Sequence, residues 1–167
     1  MNAVAKGKSD ALQLFLDALS HIGADYCVIG GLAVNAYAEP VVSLDLDVVV
    51  AATDIEAVCT AAAKQFTIER FVHSINLNSS ESDLRIQLQT DPRYQEFIRN
   101  ATVKDVLGYE MKVAKVEDVL TGKIWAYSDE ERRMSKRQKD LADIARLIEA
   151  YPELVNKVPT EISNKLK

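Results

Sequence analysis

Val28-Ile29-Gly30-Gly31, followed by Ser43-Leu44-Asp45-Leu46-Asp47-Val48-Val49-Val50, is the stretch on which the fold turns. Tyr26 to Ile29 is a short apolar run and reads as a buried strand. Gly30-Gly31 then opens a short helical pattern, Leu32–Ala38, that stops before Pro40. From Leu44 to Val50 the chain alternates and then becomes β-branched, the pattern of a second strand. Side chains of a strand repeat every second residue, so Asp45 and Asp47 are expected on one face. Two adjacent carboxylates repel each other, and a hard divalent cation that accepts oxygen ligands from both relieves the repulsion. The paired glycines let the backbone come close to a ligand at the start of a helix, where free N–H groups favour a phosphate. A phosphate cradle beside a two-carboxylate metal site is the equipment of phosphoryl or nucleotidyl transfer. Singly, an Asp-x-Asp is more often a solvated strand end and a Gly-Gly a tight turn; the combination is the specific signal.

The surrounding chain bounds the reading. Its 167 residues, 48% hydrophobic and 27% charged, describe one domain, 1–167, with apolar material for a sizeable core. Twenty-five acidic against 20 basic residues leave a formal charge of -5, which excludes a globally basic coat for nucleic acid but not a local basic patch. No apolar run approaches the roughly 18 residues of a membrane span. The opening MNAVAKGKSD has no apolar signal region, so a cytoplasmic location is expected. Cys27 and Cys59 sit in apolar stretches without a C-x-x-C pattern, and His21 and His73 are far apart. A disulfide scaffold, a zinc site and a Ser/His/Asp or Cys/His nucleophile centre are therefore not expected.

Periodicity supplies the other elements. Ser9 is expected to cap a helix carrying Leu12, Phe15, Leu16, Leu19 and Ile22, with Gly23 stopping it. Thr53 caps a helix through about Lys64, and strand-like runs follow at 66–72 and 84–89. Asp91-Pro92 opens another helix. Glu110–Val113 reads as a strand, and Val116–Tyr127 and Ser135–Ala150 as amphipathic helices. The order α β α β α β β α β α α predicts an α+β fold, a mixed sheet packed on helices. A core at about 9–114 precedes a helical tail at about 115–167.

Strand, Gly-Gly, short helix and then Asp-x-Asp, with residues 32–44 between Gly31 and Asp45, resembles the nucleotidyltransferase signature of the DNA polymerase β-like superfamily. Lys123, then Arg132-Arg133, then Lys139-Asp140-Leu141-Ala142-Asp143 is similar to the tail of bacterial nucleotidyltransferase-like proteins related to abortive-infection (AbiE-type) toxins. The resemblance runs from about Ala24 to Leu154. It implies transfer of a nucleoside monophosphate from an NTP to an acceptor hydroxyl of RNA, protein or a small molecule, and the toxin kinship admits an antitoxin partner. Asp45 and Asp47 would then hold Mg²⁺ or Mn²⁺. Gly30, Gly31, Ser43, Lys123, Arg133, Lys136 and Lys139 would bind the nucleotide phosphates.

Active members of that superfamily usually add a third carboxylate from a later strand. In Ser82-Asp83-Leu84-Arg85-Ile86-Gln87-Leu88-Gln89, the residues Asp83, Arg85, Gln87 and Gln89 share a face. Asp83 is the candidate third acid, with Arg85 or Gln87 as the alternative occupant; a glutamine ligates weakly and cannot act as base. The segment 132–139, RRMSKRQK, has five positive charges and no acid. It is either a solvated helix start or a clamp for triphosphate or a nucleic-acid backbone. Lys123 either snorkels to water or aims at a phosphate. Asp140 and Asp143 either pair with Lys136 or Lys139 or serve the chemistry. Two further readings stand beside the enzyme: an inactive nucleotide- or partner-binding member of the same fold, and an RNA-binding module using 132–139.

Overall fold

Asp10 starts the first helix of the computed structural model, which describes residues 10–167. Its side chain accepts the Gln13 N–H at 3.1 Å. The expected cap, Ser9, lies outside the described residues. The helix α1 (Ala11–Ile22) buries Leu12, Phe15, Leu16 and Leu19, the positions its periodicity selects. It ends at Gly23, whose φ of 73° is the left-handed conformation that closes a helix.

The strands β1 (Tyr26–Ile29), β2 (Asp45–Val50), β3 (Thr67–Arg70), β4 (Ser74–Asn78), β5 (Arg85–Gln89), β6 (Thr102–Val106) and β7 (Tyr109–Val113) form one sheet, in the order β3-β4-β5-β2-β1-β7-β6. β1 pairs antiparallel with β2 and parallel with β7, while β2 runs parallel to β5. Every residue of β1 is buried, as expected of a strand inside a sheet covered on both faces. The α2 helix (Gly30–Val34) leaves β1 directly, and α3 (Ile55–Ala62) follows β2. The long α4 (Val116–Ser128) and α5 (Met134–Ala150) pack on each other and on α2, whereas α1 packs on α3. A last short helix, α6 (Thr160–Ser163), follows α5. The mixed sheet and helices agree with the expected α+β class.

Several boundaries differ from the expectation. α2 stops at Val34 rather than Ala38; the chain continues through Ala38 in turns closed by Ala36 N–H on the Ala33 carbonyl and Tyr37 N–H on that of Val34, while the Asn35 side chain bonds the backbone of Val41. Residues 52–54 form a 3₁₀ turn before α3, so Thr53 does not cap that helix. Pro92–Asn100 is 3₁₀ rather than α; Asp91 caps it, accepting the Arg93 N–H at 3.0 Å. Two strands were not expected, β4 and β6. No helix among the described residues is long and apolar enough to cross a membrane.

Candidate functional site

The site begins where β1 ends. Gly30 has φ +74°, and a Cβ built on it would run into the carboxylate of Asp47. Glycine is therefore required twice, for the left-handed backbone and for the approach of that side chain. Asp47 comes to this point because it stands opposite Ile29 in the β1–β2 ladder. Asp45, two residues earlier, shares its face and is half-exposed. Ser43 fixes the start of the strand: its hydroxyl accepts the Asp45 N–H at 3.2 Å and donates to the Asp45 carbonyl at 3.3 Å.

Burial pushes the Asp47 carboxyl above the ordinary carboxylate range; Lys123 opposes that rise, Asp45 adds to it, and Arg132 and Lys136 oppose it more weakly. Desolvation thus outweighs the mutual repulsion of the two aspartates. A positive charge delivered to this pair would relieve both.

Lys123 projects from α4 and is buried, with Nζ 3.1 Å from Asp140 Oδ1 and 2.9 Å from Asp143 Oδ2. Burial is the largest influence on its ammonium and pulls the pKa down, but Asp143, Asp140 and Asp47 together outweigh it, and the group is held above its ordinary value. Asp140, 1% exposed, also accepts Arg132 Nε at 2.7 Å, and Asp143 accepts Arg146 at 2.9 Å. The result is an alternating chain, Arg132–Asp140–Lys123–Asp143–Arg146. Three cations against two anions leave one surplus positive charge, and Asp47 is the acid beside it.

The local pairing of Asp140 and Asp143 with Lys136 or Lys139, one of their two readings, is not formed; their partners come from α4, the 129–133 turn and the next turn of α5. Lys136 and Lys139 are exposed and, like Arg133, form no ion pair among the described residues. Lys136 is near enough to influence Asp47. Arg137 turns inward, donating Nε to the Tyr127 carbonyl at 2.7 Å and lying 5.1 Å over the Tyr127 ring. The basic run is therefore divided between structural bonds and solvated charge.

The third acid is not brought to the pair. β5 runs parallel to β2 with Arg85 opposite Asp45 and Gln87 opposite Asp47. Asp83 lies ahead of the strand and is exposed. Arg85 donates Nε to Asp45 Oδ1 at 2.7 Å, with both side chains substantially exposed, so the pair contributes little stability. Among the described residues no group of three or more His, Cys, Asp or Glu is placed to hold a metal. The donors that remain are two carboxylates, with the neutral Gln87 beside them. Oxygen donors on an acidic pair, Asp47 desolvated and Asp45 half-exposed, fit one hard cation.

Sequence reasoning missed Arg146 and Asn35, and placed Arg132 in a phosphate clamp rather than on Asp140. Arg146 stands three residues after Asp143 on α5, a spacing that brings the two side chains together. Nothing local in the sequence marks Asn35, whose partners lie on a loop and on a distant helix.

The family described as nucleotidyl transferase AbiEii toxin, Type IV TA system, matches residues 14–162. Among curated proteins none matches the sequence. Of the solved structures similar to this chain, ANT(2″)-Ia in complex with adenylyl-2″-tobramycin has a TM-score of 0.67 at 13% identity, over 93% of this chain and 97% of that one. The lincosamide antibiotic adenylyltransferase LnuA with bound lincomycin has a TM-score of 0.58 at 12% identity, over 85% and 99%. An antigenic nucleotidyltransferase-like protein from Paracoccidioides brasiliensis has a TM-score of 0.55 at 17% identity, over 98% and 94%. At these identities the likeness establishes the fold, that of polymerase β-like nucleotidyltransferases.

Proposed function

We propose that this chain, which belongs to the AbiEii nucleotidyl transferase toxin family, transfers a nucleoside monophosphate from an NTP to an acceptor hydroxyl. The observation that carries the reading is the convergence of Asp47 with Gly30, and of Lys123's charge with Asp47, at one end of the sheet. Asp45 and Asp47 would hold Mg²⁺ or Mn²⁺, with the Gln87 amide oxygen as a neutral neighbour. When bound, the cation supplies charge neutralisation on the triphosphate and acidifies the attacking hydroxyl.

The chain's own residues do the rest. The Gly30-Gly31 backbone admits the phosphates closely, and Ser43 holds Asp45 in place. Lys123, backed by its two aspartates, offers a fixed positive charge that needs no reorganisation as charge develops on the leaving group. Lys136 and Lys139 on α5, with Arg133 just ahead of it, supply flexible charge at the rim. The acceptor oxygen attacks the α-phosphorus, and the bond to the α–β bridging oxygen breaks. Pyrophosphate leaves with that electron pair, and the hydroxyl proton passes to solvent. Small hydroxyl compounds, RNA and protein are the acceptor classes, and a cognate antitoxin and a cytoplasmic setting accompany the toxin role.

The register of Arg85 and Gln87 favours a second reading, a member of the fold that binds nucleotide or partner without turnover. An RNA-binding module is less favoured, because Arg132 and Arg137 are committed to internal bonds. Incubation with each labelled NTP, Mg²⁺ or Mn²⁺, and candidate acceptors tests the proposal. Transfer is expected, falling by at least about 100-fold in Asp45→Ala and Asp47→Ala. Transfer that survives both substitutions together would sink the mechanism. Metal-independent nucleotide binding without transfer would support the second reading.

A further inference from the structure

The segment 35–44 leads from α2 to the first aspartate, and it contains no regular structure. Its first part is anchored by Tyr37, which packs on Tyr151 and donates its hydroxyl to the Ala114 carbonyl at 2.6 Å, but Val41 and Val42 are exposed, 53% and 73%, so apolar burial does not hold residues 39–44 down. The anchors of that second part are polar. Asn35, only 7% exposed, clamps the backbone of Val41: Oδ1 accepts the Val41 N–H at 3.0 Å and Nδ2 donates to the Val41 carbonyl at 2.7 Å. The same Oδ1 accepts Nη2 of Arg146 at 2.7 Å, and that nitrogen also donates to the Glu39 carbonyl at 2.7 Å. Through Nη1, Arg146 holds Asp143, the residue that pairs with Lys123. A Cβ built on Gly31 would lie 3.8 Å from Ser43 Oγ and 3.9 Å from Asp143 Oδ2, so Asp143 and the far end of the loop meet beside the glycines.

We propose that Arg146 is a positioning residue that ties the 35–44 loop to the Lys123–Asp143 pair and so sets Ser43 and Asp45 relative to Lys123. The proposal rests on the nucleotidyl-transfer reading above. One guanidinium reaches the side chain and backbone of the loop from one nitrogen and the carboxylate from another, in a fixed plane. A lysine ammonium, a single point of attachment, cannot reproduce that fork. Without it, the loop keeps Tyr37 at its start and the Asn35–Val41 clamp, but the tie from Glu39 to Asp143 is gone, and the two halves of the site are no longer held to one spacing. Displacement of about 1 Å in such a site costs on the order of 100-fold in rate.

The test compares wild type with Arg146→Met, Arg146→Lys and Asn35→Ala, by amide hydrogen exchange and by steady-state transfer kinetics. In Arg146→Met, exchange is expected to rise over residues 39–44 while α4 and the sheet stay protected. The kcat should fall about 10- to 100-fold, with KM for the NTP within about 3-fold of wild type, and Arg146→Lys should recover part of the loss. Asn35→Ala should reproduce the local exchange, and the double variant should fall short of the product of the single losses, because both residues act through one tether. Unchanged exchange over 39–44, or fully multiplicative losses, would overturn the proposal. If Arg146→Met loses protection throughout the sheet, Asn35→Ala decides the question alone. A wild type that transfers no label defeats the nucleotidyl-transfer reading, and the exchange comparison still accepts or rejects the tether.

Discussion

The carboxylate of Asp47 occupies the space that a side chain on Gly30 would need. Strand register brings the aspartate there, and the absent Cβ receives it. The glycine and the acid are consequently one feature, although 17 positions separate them in the sequence.

Gly30→Ala should therefore damage the site and the fold together. The left-handed backbone alone costs about 1–2 kcal/mol for a residue with a Cβ, and Asp47 must also move. Chemical denaturation should show at least that loss, and label transfer should fall on the order of 100-fold. Wild-type transfer in Gly30→Ala would show that Asp47's position is unimportant.

Asp140→Ala tests the buried ionic chain. Asp140 is 1% exposed and bonded to both Lys123 and Arg132. Removing one partner of a buried pair costs about 3–5 kcal/mol, and the surviving Asp143 contact places the expectation near the lower figure. Asp140→Asn, which keeps hydrogen-bond acceptance, should lose less. Urea unfolding with an unchanged m-value measures both. Equal losses would mean that charge plays no part.

At high pH the fold should weaken in a defined window. Burial, reinforced by Asp118, pushes the Cys27 thiol from 9.0 up to about 12, and burial likewise raises Tyr94 from 10.0 to about 12. These acids keep their protons in the native state while the unfolded chain releases them. Their contribution is neutral below pH 9.0, and stability falls as pH rises from there towards 12, by at most about 1.4 kcal/mol per pH unit for each group. Cys27→Ala should flatten the slope between pH 9.0 and 10.0, as read from melting temperature against pH. Native Cys27 should also resist thiol reagents at pH 8; rapid labelling there would contradict the burial argument.

Mg²⁺ should raise the melting temperature of wild type by linkage. Asp47→Asn should lose the response, and Asp83→Asn should retain it, because Arg85 and Gln87 rather than Asp83 stand opposite the two aspartates. A response abolished in Asp83→Asn would return that residue to the metal site.

What the sequence discloses follows from the range of the forces involved. The β1–glycine–β2 arrangement is local: apolar run, breaker and alternation are all read within 25 residues, 26–50. α4 and α5 advertise themselves through helical spacing. β4 escapes because its alternation is carried by only two apolar residues, Ile75 and Leu77, between serine and asparagines of low strand propensity, yet pairing with β3 and β5 buries those two. β6 escapes because it lies at the sheet edge and buries only Val106. In the site, Asp45 and Asp47 are visible because a strand's period is two. The partners of Asp140 and Asp143 are not, because sequence offers the i±4 lysines whereas packing of α4 on α5 delivers Lys123. The third position was undecided for a similar reason. Asp83, Arg85 and Gln87 share parity, and only the pairing of β2 with β5 chooses among them.

The alternating chain of charges also bears on synthesis. The last strand of the sheet is complete at Val113, but the counter-ions of Lys123 lie at 140 and 143, and Arg146 follows them. At about 5–20 residues per second, the growing polypeptide spends on the order of seconds with the sheet made and that ammonium unmatched. Through that interval α4 has reason to stay undocked, since seating it would bury an uncompensated cation. Closure of the domain is thereby timed to the emergence of α5, and a product truncated before residue 140 would be left permanently at that unfinished stage.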